Sequence, residues 1–255
     1  MSQNEEKDAP SHFKGRPAIE HVIEAQVQGI LSSAEIHGTE IPGHISSFAD
    51  AARETAILFT ILSLILSNTS ISLMELMWIF AIFSLALTLW KGGRSGWLAW
   101  SRLERMDRIV EQERWEIQHH RSQEREELKD LYRAKGFEGK LLEDVMDVLM
   151  ADEERLLRVM VEEELCLSLG TQEHPLKQAF WAAMGVVGVS FICILLYFCF
   201  PNFGIMVGGL GSLAIASAIS AYYEGNRIVP AIIWNLGLSI VACGSVYYLM
   251  KYIYE

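Results

Sequence analysis

The stretch RVMVEEELCL, Arg158 to Leu167, sets a thioether one helical turn ahead of a run of three carboxylates. Met160 and Glu164 stand at i,i+4, so on an α-helix they share a face. A solvated acidic face gains nothing from methionine, and an apolar face gains nothing from Glu162, Glu163 and Glu164. A metal site uses both. Carboxylate oxygens suit Fe2+ and Mn2+, and a thioether adds a softer donor that discriminates against Ca2+ and Mg2+.

Glutamates recur upstream at helical spacing. On one continuous helix Glu113, Glu116, His120, Glu124 and Glu127 would fall in a stripe about 80° wide. If the chain turns within IQHHRSQ, the pairs Glu113/Glu116 and Glu124/Glu127 remain, each at i,i+3 on its own helix. Glutamate is also the ordinary residue of a solvated helix, and Glu111, Glu126 and Glu162 are read that way. Like charges stacked at this spacing cost about 0.2–0.5 kcal/mol per pair, and a divalent cation removes that cost. The element Glu116-x-x-His119 copies one half of a di-iron carboxylate centre, but such a centre needs two copies and the chain has one. The chain is therefore expected not to be an enzyme.

The elements that must position these residues follow from the hydropathy. Of 255 residues, 51% are hydrophobic and only 21% charged, which points to membrane segments. Ile71 to Trp90 carries one charge, Glu75, while Phe180–Phe200, Phe203–Tyr223 and Ile228–Met250 carry none. Each is long enough to cross a hydrocarbon core of about 30 Å as a helix. The apolar run Thr55–Ser67 is short alone; extended back to Phe48 it reaches spanning length but takes in Asp50, Arg53 and Glu54. The expected fold is all-α, a polytopic membrane protein of five transmembrane helices with a three-helix metal-binding domain between spans two and three.

The expected segments are a polar, largely disordered arm over 1–47 with a short helix near Pro17–Ser33, spans one and two over 48–95, the helical domain over 96–174, and spans three to five over 175–255. The arm has no compact apolar core, so it does not read as a signal peptide. Gly96 to Tyr132 lacks proline and internal glycine beyond its start, so span two is expected to continue as one long helix. A turn at Lys135–Gly139 leads to a second helix through LLEDVMDVLM, and Asp152 is positioned to cap a third, Asp152 to Leu167. Cys193, Cys199, Cys243 and Cys166 read as small buried hydrophobes. Gly204, Gly208, Ser212, Ala216 and Ser220 recur every four residues, a stripe for close helix packing, within the chain or across a dimer.

Charge orients the spans. The loops at SNTSIS and around Pro201 hold no basic residue, whereas Lys91, Arg94, Arg102 and Arg105 follow span two and Arg227 lies between spans four and five. The N-terminus and middle domain are thus expected in the cytoplasm and the C-terminus outside or luminal. Ser101–Leu165 holds 19 acidic against 12 basic residues, so nucleic acid is excluded as its partner.

LYRAKGF, a helix, RVMVEEELCL and a proline opening the next span resemble the vacuolar iron transporter family, as does SGWLAWSRLERM where span two leaves the membrane. The resemblance covers roughly Phe48 to the C-terminus. It implies a homodimeric transporter in the lipid bilayer that exports Fe2+ or Mn2+ (Zn2+ also fits the donors) from the cytoplasm in exchange for protons. It implies metal ligands at Glu113, Glu116, Glu124, Glu127, Met160 and Glu164, with His120 and Glu163 as further candidates. Phe48-Ala49-Asp50-Ala51 matches the family's span-one motif in its phenylalanine and aspartate, which places Asp50 on the translocation pathway. The methionine position of span two falls at Lys91 or Gly92. The alternative is a membrane-anchored metal-binding or metal-sensing protein that has lost transport.

The charge asymmetry yields a direct test of topology. With the native cysteines replaced, a cysteine at Ser70 is expected to react with an impermeant thiol reagent only from the side opposite one at Ser122. Labelling of both from one side would remove the five-span arrangement.

Overall fold

The structure is a computed structural model that describes residues 42–67, 69, 71–164 and 173–254. The short helix expected near Pro17–Ser33 and the position of Cys166 lie outside the described residues. The helices are α1 (Gly43–Leu66), α2 (Leu73–His119), α3 (Arg121–Ala134), α4 (Gly139–Met150), α5 (Glu153–Val159), a π turn (Met160–Glu164), α6 (Pro175–Cys199), α7 (Gly204–Tyr223) and α8 (Ile228–Tyr254). The described residues fall into two compact units, 101–164 in one and 42–100 with 173–254 in the other.

Local chemistry sets several of the helix ends. Ser72 and Glu75 form a reciprocal capping box at the start of α2, the Glu75 carboxylate accepting from the Ser72 N–H at 3.0 Å and the Ser72 hydroxyl from the Glu75 N–H at 3.3 Å. That accounts for the single charge in an otherwise apolar span. Asp152 caps α5, accepting from the Arg155 N–H at 2.9 Å. His174 caps α6 with Pro175 at its first position, where the missing N–H costs nothing.

Four helices among the described residues are long and apolar enough to cross a membrane: the apolar part of α2, α6, α7 and α8. The expected fifth, α1, is 24 residues long but does not qualify by composition, because Asp50, Arg53 and Glu54 occupy its first half. Packing nevertheless makes α1 the centre of the unit, in contact with α6, α7 and α8. Small residues permit this. A methyl group at Gly185 would fall 2.5 Å from the Phe48 carbonyl oxygen, and one at Gly209 would fall 2.3 Å from Thr60 Oγ1. The Thr55 and Thr60 hydroxyls, both buried, donate to the carbonyls of Ala51 and Ala56 within the same helix. All five residues of the small stripe in α7 are buried inside the chain, with Gly208 set against Cys193. Cys193 and Cys243 are buried as expected, whereas Cys199 is exposed at the end of α6.

The second unit corrects the reading of its first and last helices. α2 does not run on to Tyr132 but ends at His119. His120, with φ −127° and ψ 33°, breaks the helix before α3. The helix begun at Asp152 widens into a π turn from Met160, and residues 165–167 lie outside the described part. A core of Met106, Ile117, Leu128, Leu131, Leu142, Met146, Leu156, Leu157, Met160 and Val161 joins all the helices of this unit.

Close packing at α1 gives a contrast of glycines. Gly185→Leu and Gly209→Leu should each destabilise the detergent-solubilised protein by at least the about 1–3 kcal/mol typical of overpacking, since backbone must move. Gly188→Ala and Gly211→Ala, where nothing lies within 4 Å, should leave the melting temperature unchanged. Equal shifts for both classes would show that α1 does not pack this closely.

Candidate metal centre

The break at His120 decides between the two arrangements the sequence left open. The glutamate pairs lie on separate helices, Glu113/Glu116 on α2 and Glu124/Glu127 on α3. Apolar positions spaced between them, Ile117 on α2 with Leu128 and Leu131 on α3, enter the common core and turn the adjacent glutamates inward. Glu113 is 5% exposed, and Glu124 and Glu127 are each 1% exposed. Glu116 is half-buried and accepts from Gln112 Nε2 at 3.1 Å, a contact the sequence reading did not anticipate.

Outward-facing charges follow ordinary pairing. Arg125 donates to Glu143 and Asp147 at 3.0 Å each, Lys129 pairs with the same Glu143, and Arg121 donates to Glu153 at 3.0 Å and to the Met150 carbonyl at 2.6 Å. Lys129 and Arg125 hold the Glu143 carboxyl below its usual range. These bonds tie α3 to α4 and α5. Inward the electrostatics reverse. Burial, with Glu113, Glu127 and Glu116 close by, pushes the Glu124 carboxyl up to about 10. Three of the six principal candidates thus act on a fourth within one small region.

The remaining candidates divide. Met160 is 1% exposed and lies in the same core, in the π turn that packs against α3. Glu164 closes that π turn, and its side chain lies outside the described residues. Glu163 is engaged by Lys135. His120 occupies the cap position of α3, half-buried, its ring edge-on to Trp115 at 5.6 Å. Glu111, Glu126 and Glu162 are exposed, in keeping with a solvating role. Asp50 belongs to the other unit, where its carboxylate pairs with Arg53.

Among the described residues no three His, Cys, Asp or Glu side chains stand close enough to hold a metal ion as they are. The glutamates share an electrostatic field, not a closed coordination sphere. Their chemistry still fits a hard or borderline divalent cation: oxygen donors from two helices, a buried thioether nearby, and a local repulsion that positive charge relieves. A helix that widens to a π turn at Met160 is the kind of local irregularity found often at functional sites.

The family model described as VIT family matches residues 93–251. The match begins within α2 and leaves out α1, where the span-one motif is kept only in part. The chain matches no curated protein.

Glu124 gives the metal-free protein a pH dependence of determined sign. A carboxyl raised in the folded state binds a proton that the unfolded chain releases near the ordinary value of 4.5. Its stabilising contribution is complete below that value and is lost as pH rises toward about 10. With chelator present, the melting temperature should fall from about pH 5 to pH 9, and Glu124→Gln should flatten that slope. Parallel slopes in the two proteins would place the Glu124 carboxyl outside this field.

Proposed function

The chain belongs to the VIT family, the vacuolar iron transporters, and from that premise we propose that it exports Fe2+ or Mn2+ from the cytoplasm in exchange for protons. The family is one of membrane metal-ion transporters, not enzymes. Four membrane-capable helices make this an integral, multi-pass member. The observation that carries the reading is the buried group Glu113, Glu124 and Glu127 with Glu116 beside it.

In this reading the group collects metal together with Met160 and Glu164, while His120 and Glu163 are auxiliary. Protons leave the carboxylates as the ion enters, because a ligand must be deprotonated to bind. α1 is the fifth span: its buried face, Ala51, Ala52, Ala56 and Phe59, packs with α6 and α7, and Asp50 lies on the pathway. The N-terminus and the collecting domain are cytoplasmic, supported by the basic residues after span two. A homodimer fits the apolar faces left uncovered in the single chain, Trp78, Ile82, Leu85 and Leu89 on α2 and Ile233, Trp234, Ile240 and Val241 on α8.

A second reading, a membrane-anchored metal-binding protein without transport, is favoured by one observation. The charges of α1 are paired within the protein, Asp50 with Arg53 and Glu54 with Lys91.

Liposomes holding the full chain separate the two. Transport predicts Mn2+ or Fe2+ accumulation that depends on an imposed pH gradient and is lost in Asp50→Asn. Metal binding without flux decides for the second reading. In either case Glu124→Gln with Glu127→Gln, and Met160→Ala with Glu164→Ala, should weaken binding about tenfold or more, a loss of about 1.4 kcal/mol. Glu126→Ala should not. Equal effects from all three would return the glutamates to a solvating role.

A further inference from the structure

Within one and a half turns α1 presents Asp50, Arg53 and Glu54, and α2 brings Lys91 to the same place. Asp50 and Glu54 stand at i,i+4, one face of the helix. Arg53 pairs with Asp50, and the Lys91 ammonium pairs with Glu54. Arg94 and Asp50 also act electrostatically on Lys91.

Lys91 is unusual in its burial. It is 9% exposed and is the one buried lysine or arginine among the described residues. Arg53 and Glu54 keep 25% and 49% of their side chains exposed. The packing around Lys91 is close, for a methyl group at its neighbour Gly92 would lie 3.3 Å from the Ala179 carbonyl oxygen of α6. A buried ammonium is held only where a counter-charge meets it, so Lys91 stays because Glu54 is there. The converse also holds. Two carboxylates on one helix face attract a cation, and the chain supplies its own on a flexible four-carbon stem.

We propose that Lys91 is a tethered cation seated on Glu54, which a divalent metal ion must displace before it can use the Asp50 and Glu54 carboxylates. The residue then positions the site and sets its metal affinity without touching the metal. Displacement keeps the charge balance favourable, since an incoming doubly charged ion replaces a single ammonium and the released stem can swing toward solvent or lipid headgroups. Lysine suits this role better than arginine, whose planar fork would grip a carboxylate through two bonds. The idea rests on the transport reading for its purpose, but not for its detection.

The test uses the full chain with Mn2+ as probe. In liposomes, Lys91→Gln should lower the Mn2+ concentration giving half-maximal flux by about tenfold, as removal of an internal competitor requires. Lys91→Arg should not lower it, and adding Glu54→Gln to Lys91→Gln should cancel the gain. A purely structural lysine would instead reduce the amplitude of flux and the melting temperature, with the half-maximal concentration unchanged; that result overturns the proposal.

Equilibrium Mn2+ binding in detergent, with Glu113, Glu116, Glu124 and Glu127 changed to Gln, separates this idea from transport itself. A Glu54-dependent Mn2+ site gained on Lys91→Gln supports the tethered cation even if no flux exists. Flux without such a gain refutes it while transport stands. Should the Lys91 variants fail to fold, the unsubstituted chain still answers. Saturating Mn2+ should increase acetylation of Lys91 by acetic anhydride relative to Mg2+, and an unchanged extent overturns the proposal.

Discussion

Carboxylates buried side by side repel one another in a medium that screens them poorly, and the unit formed by residues 101–164 is organised around that repulsion. Glu113, Glu124 and Glu127 lie inside a shell of leucine, isoleucine and methionine side chains. Such a group persists in a folded protein only if something positive joins it or if protons stay on. The raised Glu124 carboxyl is the second solution, and under the proposed function a bound metal ion would be the first. Under the proposed function the two would exchange, which is the property a metal-collecting site needs. The cost of assembling the group is met elsewhere, by the core around Leu128 and Met160 and by the arginine and lysine pairs that fasten α3 to its neighbours.

The break at His120 is what makes this geometry. On one straight helix the five donors would have formed a stripe along a single rod, open to solvent along its length. Broken at His120, the chain carries the two pairs on two helices, which the core residues Ile117 and Leu128 draw together. The sequence left this choice open because IQHHRSQ has neither proline nor glycine. A break without a breaker residue comes from tertiary packing, which periodicity does not encode. The same holds for the π turn at Met160: an extra residue within a turn leaves the residue types unchanged.

Features governed by local chemistry were legible. Asp152 caps α5, Pro175 opens α6, and the Lys135–Gly139 turn carries positive φ at Gly136 and Gly139. The four uncharged or nearly uncharged runs became the four membrane-capable helices. α1 was the hard case, because composition and packing disagree. Its charged first half argues against a span, while its glycine-matched contacts with α6 and α7 place it at the centre of its unit. Glu54 and Lys91 were visible as charges at the edges of apolar runs, but their pairing was not, since they stand 37 positions apart in the sequence.

The two groups of carboxylates in this chain are neutralised by different means, and the difference has mechanistic weight. Around Glu124 burial and the neighbouring glutamates favour the protonated carboxyl, so under the proposed function protons and metal would compete for its oxygens. At Asp50 and Glu54 the opposing charges are Arg53 and Lys91, fixed to the backbone. A guanidinium does not give up its proton under physiological conditions, so a change of pH cannot free Asp50 by neutralising Arg53. Only movement of a side chain, or of α1 against α2, exposes those oxygens. Under the proposed function, metal capture at the glutamate group would be an equilibrium set by affinity and pH. Under the transport proposal, passage at α1 would instead be a conformational event, in which an ion must bind more favourably than the partner the protein already carries.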